Sequence, residues 1–492
     1  MQSFPELQAR LGVACAANKP GSGVPHVLVA LPSFSVGESL LSHYADRIPA
    51  LEHRYLVAQL MLYRITDCEM VFVCTQAPDD AVLEYYLGLV PPDQRDSVRS
   101  RFRVLVVPDP SHRPVAAKLL DRPDLLDDLA ASFAGRPAFI EPWNVTADEV
   151  DVAVALGVPV NGTAPALWPL GFKSAGRRLM RSAGVPVPHG VEDVRTVHEV
   201  AAAARAVAAA RPGTTGVVVK LDDSGAGDGN LVVELDAGSD TSLEQRLAST
   251  PPWYREALLA GGVVEQLVTG ATFSTPSVQA DISPDGGVSV LATHEQVVGG
   301  PSGQVYLGCS FPAGAPYAAE LARHGAAVGR LLAECGARGR YSVDFAATSD
   351  EQARWQVYGL EVNLRKGGTT HPYAVLRNLA PGRYDPDAGT WVAQDGRPRC
   401  YCASDNLVDP AWRGLPASRV IHAVRAAGLE FDRASGTGVV LHMLAGLAVD
   451  GRFGLTAVGR TVAEASSMMT ATRAVVDDLA RVSARRADGT AR

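Results

Sequence analysis

The chain has 492 residues and a formal net charge of −8, with 47% hydrophobic and 20% charged residues. This length exceeds what one small core needs, so we expect roughly two to four domains. The acidic balance and the scattered lysines and arginines argue against a nucleic-acid binder. No apolar run reaches the ~18–20 residues that cross a membrane, which argues against a membrane partner.

The cysteines and the N-terminus predict a cytoplasmic protein. Seven cysteines are scattered, odd in number and without the paired C-x-x-C spacing of a zinc site. The first twenty residues lack the basic segment and apolar core of a secretory signal. Reduced thiols are the simplest interpretation.

The first ~165 residues alternate strand-like and helix-like segments. Short apolar runs at 25–33, 69–76, 102–109 and 137–143 are bounded by turn residues, and an amphipathic stretch at 51–65 separates the first two. Strands that alternate with helices favour a parallel α/β sheet with its ligand crevice at the carboxyl ends of the strands.

The residues after about 165 have a different pattern of predicted helices and strands. Helical patterns at 173–184, 197–213 and 317–336 alternate with strand patterns at 216–220, 261–270, 275–283 and 288–298. Two more strands, "RYSVDFAA" and "WQVYGLEVN", follow the last of these helices. From about residue 380 the chain is rich in Gly, Pro and Asp and then returns to an α/β pattern.

Three polar side chains lie on the last two of these strands. Antiparallel pairing across the turn "TSDEQAR" would bring Asp344 close to Glu361 and Asn363. Glu361 and Asn363 are two residues apart, so they share one face of their strand. A hairpin with a solvated polar face is the alternative, but "YGLEVN" is apolar and burying two acids without a cation is costly. Three oxygen ligands suit a hard divalent cation such as magnesium.

The few lysines add to this pattern. The chain has only five, and Lys220 ends the run "GVVVK", separated by three residues from the loop "SGAGDGN". An ammonium group beside a loop rich in N–H groups can bind a triphosphate. Lys173 begins a helix, and Lys366 follows Arg365 beside the expected metal ligands. A compact positive charge at these positions would meet phosphate or a developing anion.

The order of these features resembles the ATP-grasp superfamily over about residues 1–380. The segments "THEQVVGGPSGQVYLGCSFPA" and "EVNLRKGGTTHP" are most similar to the pheganomycin-type peptide ligases. The resemblance implies a mixed α/β and α+β fold. A pre-ATP-grasp, Rossmann-like domain would occupy 1–165 and an ATP-grasp domain 166–385, with a small lobe at about 185–260 and a larger lobe at 261–385. A C-terminal domain would follow at 386–492.

The resemblance also implies roles for individual residues. The expected nucleotide-binding residues are Lys173, Lys220, Ser224, Gly225 and Gly227 at the phosphates, and Glu265, Gln266, Leu267 and Val268 at the adenine. Asp344, Glu361 and Asn363 would bind magnesium, with manganese as the alternative. Arg365 and Lys366 would stabilise the acyl phosphate and the intermediate that follows it.

Two positions depart from the superfamily pattern. Many relatives have a second glutamate for the ribose where this chain has Thr272. Some have an arginine two residues before the first metal ligand, where this chain has Ser342. Arg340 or Arg365 would then supply that charge, and Arg365 is our preferred candidate. His371 is either a substrate contact or a structural residue.

The expected activity is that of an ATP-dependent peptide ligase. It would couple a small-molecule carboxylate to the amine of an amino acid or peptide in antibiotic-like specialised metabolism. The sequence is compatible with a homodimer. A carboxylase or another amide ligase is the nearest alternative. A nucleotide-binding regulator without turnover is the alternative from a different class.

Overall fold

The computed structural model describes residues 2–35, 41, 44–224, 229–235, 244–245, 247, 249–299 and 305–490. Within these residues the strands form one four-stranded parallel sheet, one four-stranded antiparallel sheet and one sheet of eleven strands. The candidate active site is built from the second and third of these sheets and from loops of the first.

The N-terminal sheet is parallel, as the alternation of strands and helices predicted. Its order is β3-β2-β1-β4, and its strands are β1 (His26–Leu31), β2 (Cys68–Cys74), β3 (Phe102–Val106) and β4 (Ala138–Pro142). The two faces of β1 pack into different apolar clusters: Leu28 belongs to one, and Val27 and Val29 to the other. Both faces of the sheet are therefore covered, which explains why β1 is apolar throughout.

The helices of this region lie before, between and after these strands. They are α1 (Phe4–Gln8), α2 (Leu11–Ala17), α3 (Ile48–His53), α4 (Asp80–Gly88), α5 (Arg95–Arg101), α6 (Val115–Leu120), α7 (Pro123–Ser132) and α8 (Ala147–Leu156). The amphipathic stretch 51–65 is not one continuous helix. α3 ends at His53, and a 3₁₀ helix follows at Arg54–Met61.

The second sheet is antiparallel and has the order β5-β8-β6-β7. Its strands are β5 (Gly190–Val191), β6 (Gly216–Leu221), β7 (Asn230–Glu234) and β8 (Gly262–Gln266), and the nearby helices are α9 (Lys173–Ser182), α10 (Val197–Ala210) and α11 (Pro252–Leu258). Gly184 follows α9 with φ +74°, a backbone conformation that favours glycine after a helix.

The third sheet begins in the larger lobe and continues into the C-terminal segment. Its main path is β14-β13-β10-β11-β12-β17-β16-β15, with β9 on β13, and β19 on both β17 and β18. The strands are β9 (Thr272–Ser274), β10 (Pro276–Ile282), β11 (Val288–Gly299), β12 (Val305–Phe311), β13 (Gly339–Ser349), β14 (Trp355–Asn363), β15 (Gly382–Asp385), β16 (Thr390–Ala393), β17 (Pro398–Val408), β18 (Gly438–His442) and β19 (Arg452–Gly459).

Five helices accompany this sheet: α12 (Ala318–Glu334), α13 (Thr370–Leu379), α14 (Ala417–Ala426), α15 (Gly446–Val449) and α16 (Val462–Thr490). α12 packs on β10 and β11. It buries a face that includes Leu321, Val328 and Leu332, as expected from its amphipathic pattern.

The C-terminal segment shares a core with the N-terminal domain. Phe72 and Tyr86 belong to the same buried apolar cluster as Val440 and Leu455. The Tyr86 hydroxyl donates to the backbone oxygen of Leu441 at 3.0 Å. The predicted boundary at 386 therefore lies within a continuous sheet and beside a shared core.

Two further predictions concerned membrane-crossing segments and the state of the cysteines. None of the helices in the described residues has the length and apolar character that a membrane-crossing segment needs. The seven cysteines are all free thiols.

Candidate active site

Asp344 and Glu361 lie opposite each other on β13 and β14. The register pairs Asp344 with Glu361 and Ser342 with Asn363, so the hairpin has the antiparallel pairing expected from the sequence. Asn363 Nδ2 donates to Asp344 Oδ2 at 3.0 Å. The opposite face of β13 packs Tyr341 and Val343 into an apolar cluster. The pairing therefore gathers three oxygen-bearing side chains on the polar face of the hairpin.

The environment of Asp344 suits a bound cation. Burial, followed by the negative charge of Glu361, raises the pKa of Asp344 to about 7. Gln296 Nε2, from β11, donates to Asp344 Oδ1 at 2.8 Å. Two carboxylates so close together repel each other, and a divalent ion would relieve that repulsion. Because Asn363 donates its nitrogen to Asp344, it offers its oxygen as a third ligand, and the set fits magnesium.

Lys173 connects the hairpin to the antiparallel sheet. Its side chain is buried, and Nζ lies 2.8 Å from Glu361 Oε1 and 2.7 Å from the backbone oxygen of Ser224. The start of α9 is held in place because the backbone N–H of Ser174 donates to Asp222 Oδ1 at 2.8 Å. Lys173 therefore lies between an expected metal ligand and the first residue of the expected phosphate loop.

Lys220 forms a buried ionic cluster with two other residues. Its ammonium contacts Glu265 Oε1, and Arg177 Nη1 lies 2.5 Å from Glu265 Oε2. All three side chains are at most 9% exposed. Glu265, which was expected to line the adenine pocket, therefore pairs with the ammonium group of Lys220, which was expected to bind the phosphates. The nucleotide-binding roles of Lys220 and Glu265 remain predictions.

The segment expected to bind adenine begins at the end of β8. The Gln266 N–H donates to the backbone oxygen of His189 at 2.7 Å, and the Leu267 N–H to that of Gly216 at 2.9 Å. These two N–H groups therefore already donate hydrogen bonds to the backbone beside β5 and in β6. The adenine-binding role of this segment, including Val268, remains a prediction. Gly225 and Gly227, expected at the phosphates, lie outside the described residues.

Arg365 and Lys366 contact the N-terminal domain. The Arg365 guanidinium carbon lies 4.9 Å from the centre of the Trp143 ring. Lys366 is buried, and its Nζ lies 2.5 Å from Glu141 Oε1. Burial lowers the pKa of Lys366, and the charge of Glu141 opposes that effect. Lys366 thus has a carboxylate partner in the structure, and its catalytic role remains a prediction.

His371 is fully buried and bonded to a carboxylate. Its Nε2 lies 2.8 Å from Asp405 Oδ1, and Arg54 Nη1 lies 2.7 Å from Asp405 Oδ2. Donor atoms of His371, Asp405 and His442 are within 4.8 Å of one another, a spacing that could hold a metal. Since Arg54 already neutralises Asp405, a further cation would be unfavourable there. We interpret the cluster as a buried network that joins α13 to β17 and β18.

Four residues that contact the site were not predicted from the sequence: Arg177, Gln296, Trp143 and Glu141. The position of Arg177 could have been predicted, because it lies four residues after Lys173 and therefore on the same face of α9. Trp143 and Glu141 lie at the carboxyl end of β4, where ligands of parallel sheets usually bind.

The comparison with known proteins identifies the family. The chain is 30% identical over 455 residues to the L-propargylglycine–L-glutamate ligase of Streptantibioticus cattleyicolor, covering 88% of this chain and 92% of the relative. This chain belongs to the pheganomycin-type ATP-grasp ligases. Residues 419–472 also match a family described as the PGM1 C-terminal domain.

Solved structures with low sequence identity share the fold. The biotin carboxylase of Campylobacter jejuni has a TM-score of 0.55 at 14% identity, covering 93% of this chain and 95% of its own. The ADP complex of purK, N5-carboxyaminoimidazole ribonucleotide synthetase, has a TM-score of 0.50 at 12% identity, covering 93% and 98%. The pheganomycin-type ligase described here therefore has the ATP-grasp fold, and it is an ATP-dependent enzyme that forms carbon–nitrogen bonds.

Proposed function

We propose that this ligase joins the carboxylate of one amino acid to the amine of a second amino acid or a peptide, in specialised metabolism. The observation that carries the proposal is the β13–β14 register, which pairs Asp344 with Glu361, together with the contact of Lys173 Nζ with Glu361 at 2.8 Å. The named relative joins two amino acids, L-propargylglycine and L-glutamate, which supports this substrate class.

The reaction has two balanced steps. A carboxylate oxygen attacks the γ-phosphorus of ATP, the bond to the bridging oxygen breaks, and ADP leaves. The amine nitrogen then attacks the acyl carbon, the bond to phosphate breaks, and the nitrogen gives a proton to solvent. Such chemistry depends on positioning and charge stabilisation more than on a protein nucleophile.

The residues of this chain have separable roles in the proposal. Lys173 and Lys220 attract the phosphates, while Asp344, Glu361 and Asn363 provide oxygens for magnesium, with manganese as the alternative ion. Magnesium, when bound, would neutralise phosphate charge. Arg365, oriented by the face of Trp143 at 4.9 Å, presents a planar guanidinium to the acyl phosphate.

The test is a product analysis with the purified protein. It is incubated with ATP, magnesium and a pool of amino acids that includes L-propargylglycine and L-glutamate. We expect ADP, phosphate and a dipeptide by mass spectrometry, and a hydroxamate when hydroxylamine replaces the amine. An Asp344→Asn variant is the control. Bicarbonate-dependent ADP release without a dipeptide would instead identify a carboxylase.

A further inference from the structure

A cavity of about 610 Å³ lies beside the candidate active site, where β4, β13, α13 and the 3₁₀ helix Arg54–Met61 meet. This volume is typical of small-molecule sites. Its apolar wall includes Val57, Met61 and Phe139. Arg340 and Lys366 line both this cavity and a small neighbouring pocket that contains Arg365 and Trp143. The cavity therefore opens next to the residues expected to handle the acyl phosphate.

The charges on the cavity wall favour an anion. Among the described residues, five lysine and arginine side chains line it against three carboxylates, a formal surplus of two positive charges in a chain whose net charge is −8. Arg377 is one of these cations. Burial lowers its pKa, and the charges of Arg340 and Arg64 lower it further. Cations that repel one another in a buried wall gain from a negatively charged ligand.

Arg340 is the cation best placed to bind that ligand. Its Nε lies 3.3 Å from Asp281 Oδ1, and its guanidinium carbon lies 5.4 Å from the centre of the Tyr373 ring. Its Nη1 is buried and has no hydrogen-bond partner among the described residues. An unsatisfied buried donor of this kind is costly, so a ligand oxygen there would stabilise the protein.

Gln279 provides a second observation on the same face of the sheet. It lies opposite Ser342, between the pairs Asp281–Arg340 and Ser277–Asp344. The side chain is only 2% exposed, yet neither its Nε2 nor its Oε1 has a partner within the part of the chain that the structure describes. An amide with both ends unsatisfied lies between the cavity's arginine and the expected metal ligand.

We infer that this cavity binds the amine-supplying substrate, an α-amino acid or dipeptide with an apolar side chain, and that Arg340 binds its free carboxylate. The inference rests on the proposed function. The apolar wall takes the side chain, and the amine end extends toward Arg365.

The position of Arg340 favours a free carboxylate over the one that becomes activated, because the pair Gln279–Ser342 lies between Arg340 and the expected metal ligands. Arg340 and Asp344 are four residues apart on one strand, which corresponds to roughly 13 Å of backbone. The activated carboxylate must lie at the γ-phosphate, beside Lys173 and Glu361. A second carboxylate, carried by the amine substrate, is the group that Arg340 can reach.

Binding without ATP tests the cavity independently of turnover. Calorimetry compares L-leucine, L-methionine and L-phenylalanine with their primary amides, which lack the carboxylate. We expect the free acids to bind the wild-type protein about tenfold or more tightly than the amides, because a charged hydrogen bond is lost. In Arg340→Gln this preference should disappear.

Arg338→Gln is the matched control. Arg338 lies two residues away, outside the cavity lining, and its guanidinium donates to the backbone oxygens of Pro284 and Ala333. This variant should keep the preference for the free acid. Absence of any amino-acid binding, equal binding of acids and amides, or a preference that survives in Arg340→Gln would each overturn the inference.

A kinetic measurement tests the assignment to the amine substrate. Arg340→Gln should raise the KM for the amine substrate by about tenfold or more, whereas the KM for the acid in hydroxamate formation should change much less. A parallel loss of hydroxamate formation would overturn the assignment. Failure of the wild-type protein to release ADP would count against the proposed function, whereas the binding comparison would still decide the role of Arg340.

Discussion

Replacing Arg365 by lysine tests the core of the mechanism, because it keeps the charge and removes the planar guanidinium. Lysine cannot reproduce the planar stacking of the arginine on Trp143, which the arginine faces at 4.9 Å, and losing this contact costs about 0.5–2 kcal/mol. Lysine also lacks the second parallel N–H, worth about 1.5–3 kcal/mol when the acceptor is charged. Together these losses predict a decrease in kcat of between roughly thirtyfold and a few thousandfold.

The assay follows ADP release by coupled absorbance and hydroxamate formation in parallel, since Arg365 should act on both steps. Trp143→Leu removes only the stacking and should lower kcat by between roughly twofold and thirtyfold. In the Arg365→Lys background, Trp143→Leu should lower kcat little further, because the two residues act as a pair. The exposed Arg383→Lys is the control. A kcat for Arg365→Lys within about threefold of wild type would refute the reasoning.

Three further predictions concern stability and metal dependence. Arg177→Met leaves Glu265 with one fewer buried partner and should lower the unfolding free energy by about 3–5 kcal/mol. The control Arg178→Met changes a side chain that is 48% exposed and should lower the unfolding free energy by less than about 1 kcal/mol. Equal melting temperatures of the two variants would contradict the prediction. Burial raises the pKa of Glu52 from 4.5 to about 7, so the folded chain retains a proton that the unfolded chain releases. Wild-type stability therefore falls as pH rises from 4.5 to 7, and Glu52→Gln should exceed it above pH 7 by up to about 3 kcal/mol, with no gain below pH 4.5 in urea titrations. Asp344→Asn should reduce ATP turnover on the order of a hundredfold or more, and an unchanged magnesium titration of ADP release would contradict its role.

The sequence predicted those features that depend on nearby residues. Apolar runs predicted β1 to β4, and the short turn between β13 and β14 predicted the pairing of Asp344 with Glu361. Both follow from the period of two along a strand and from a hairpin that closes locally.

The sequence did not predict contacts between distant segments. Lys366 pairs with Glu141, and Lys220 with Glu265, because separate strands and loops converge in space. No local pattern reveals which carboxylate a buried cation will meet. The break between α3 and the 3₁₀ helix also escaped prediction, since the helical pattern continues across His53.

The core shared by the two ends of the chain has a consequence for engineering. The segment after residue 386 supplies Val440 and Leu455 to the cluster that holds Phe72, so deleting it would leave the first domain with an uncovered apolar face. Chimeras between relatives should therefore exchange both termini as one cassette and cut within the central lobe. A donor carrying only one of the two ends should yield aggregated protein.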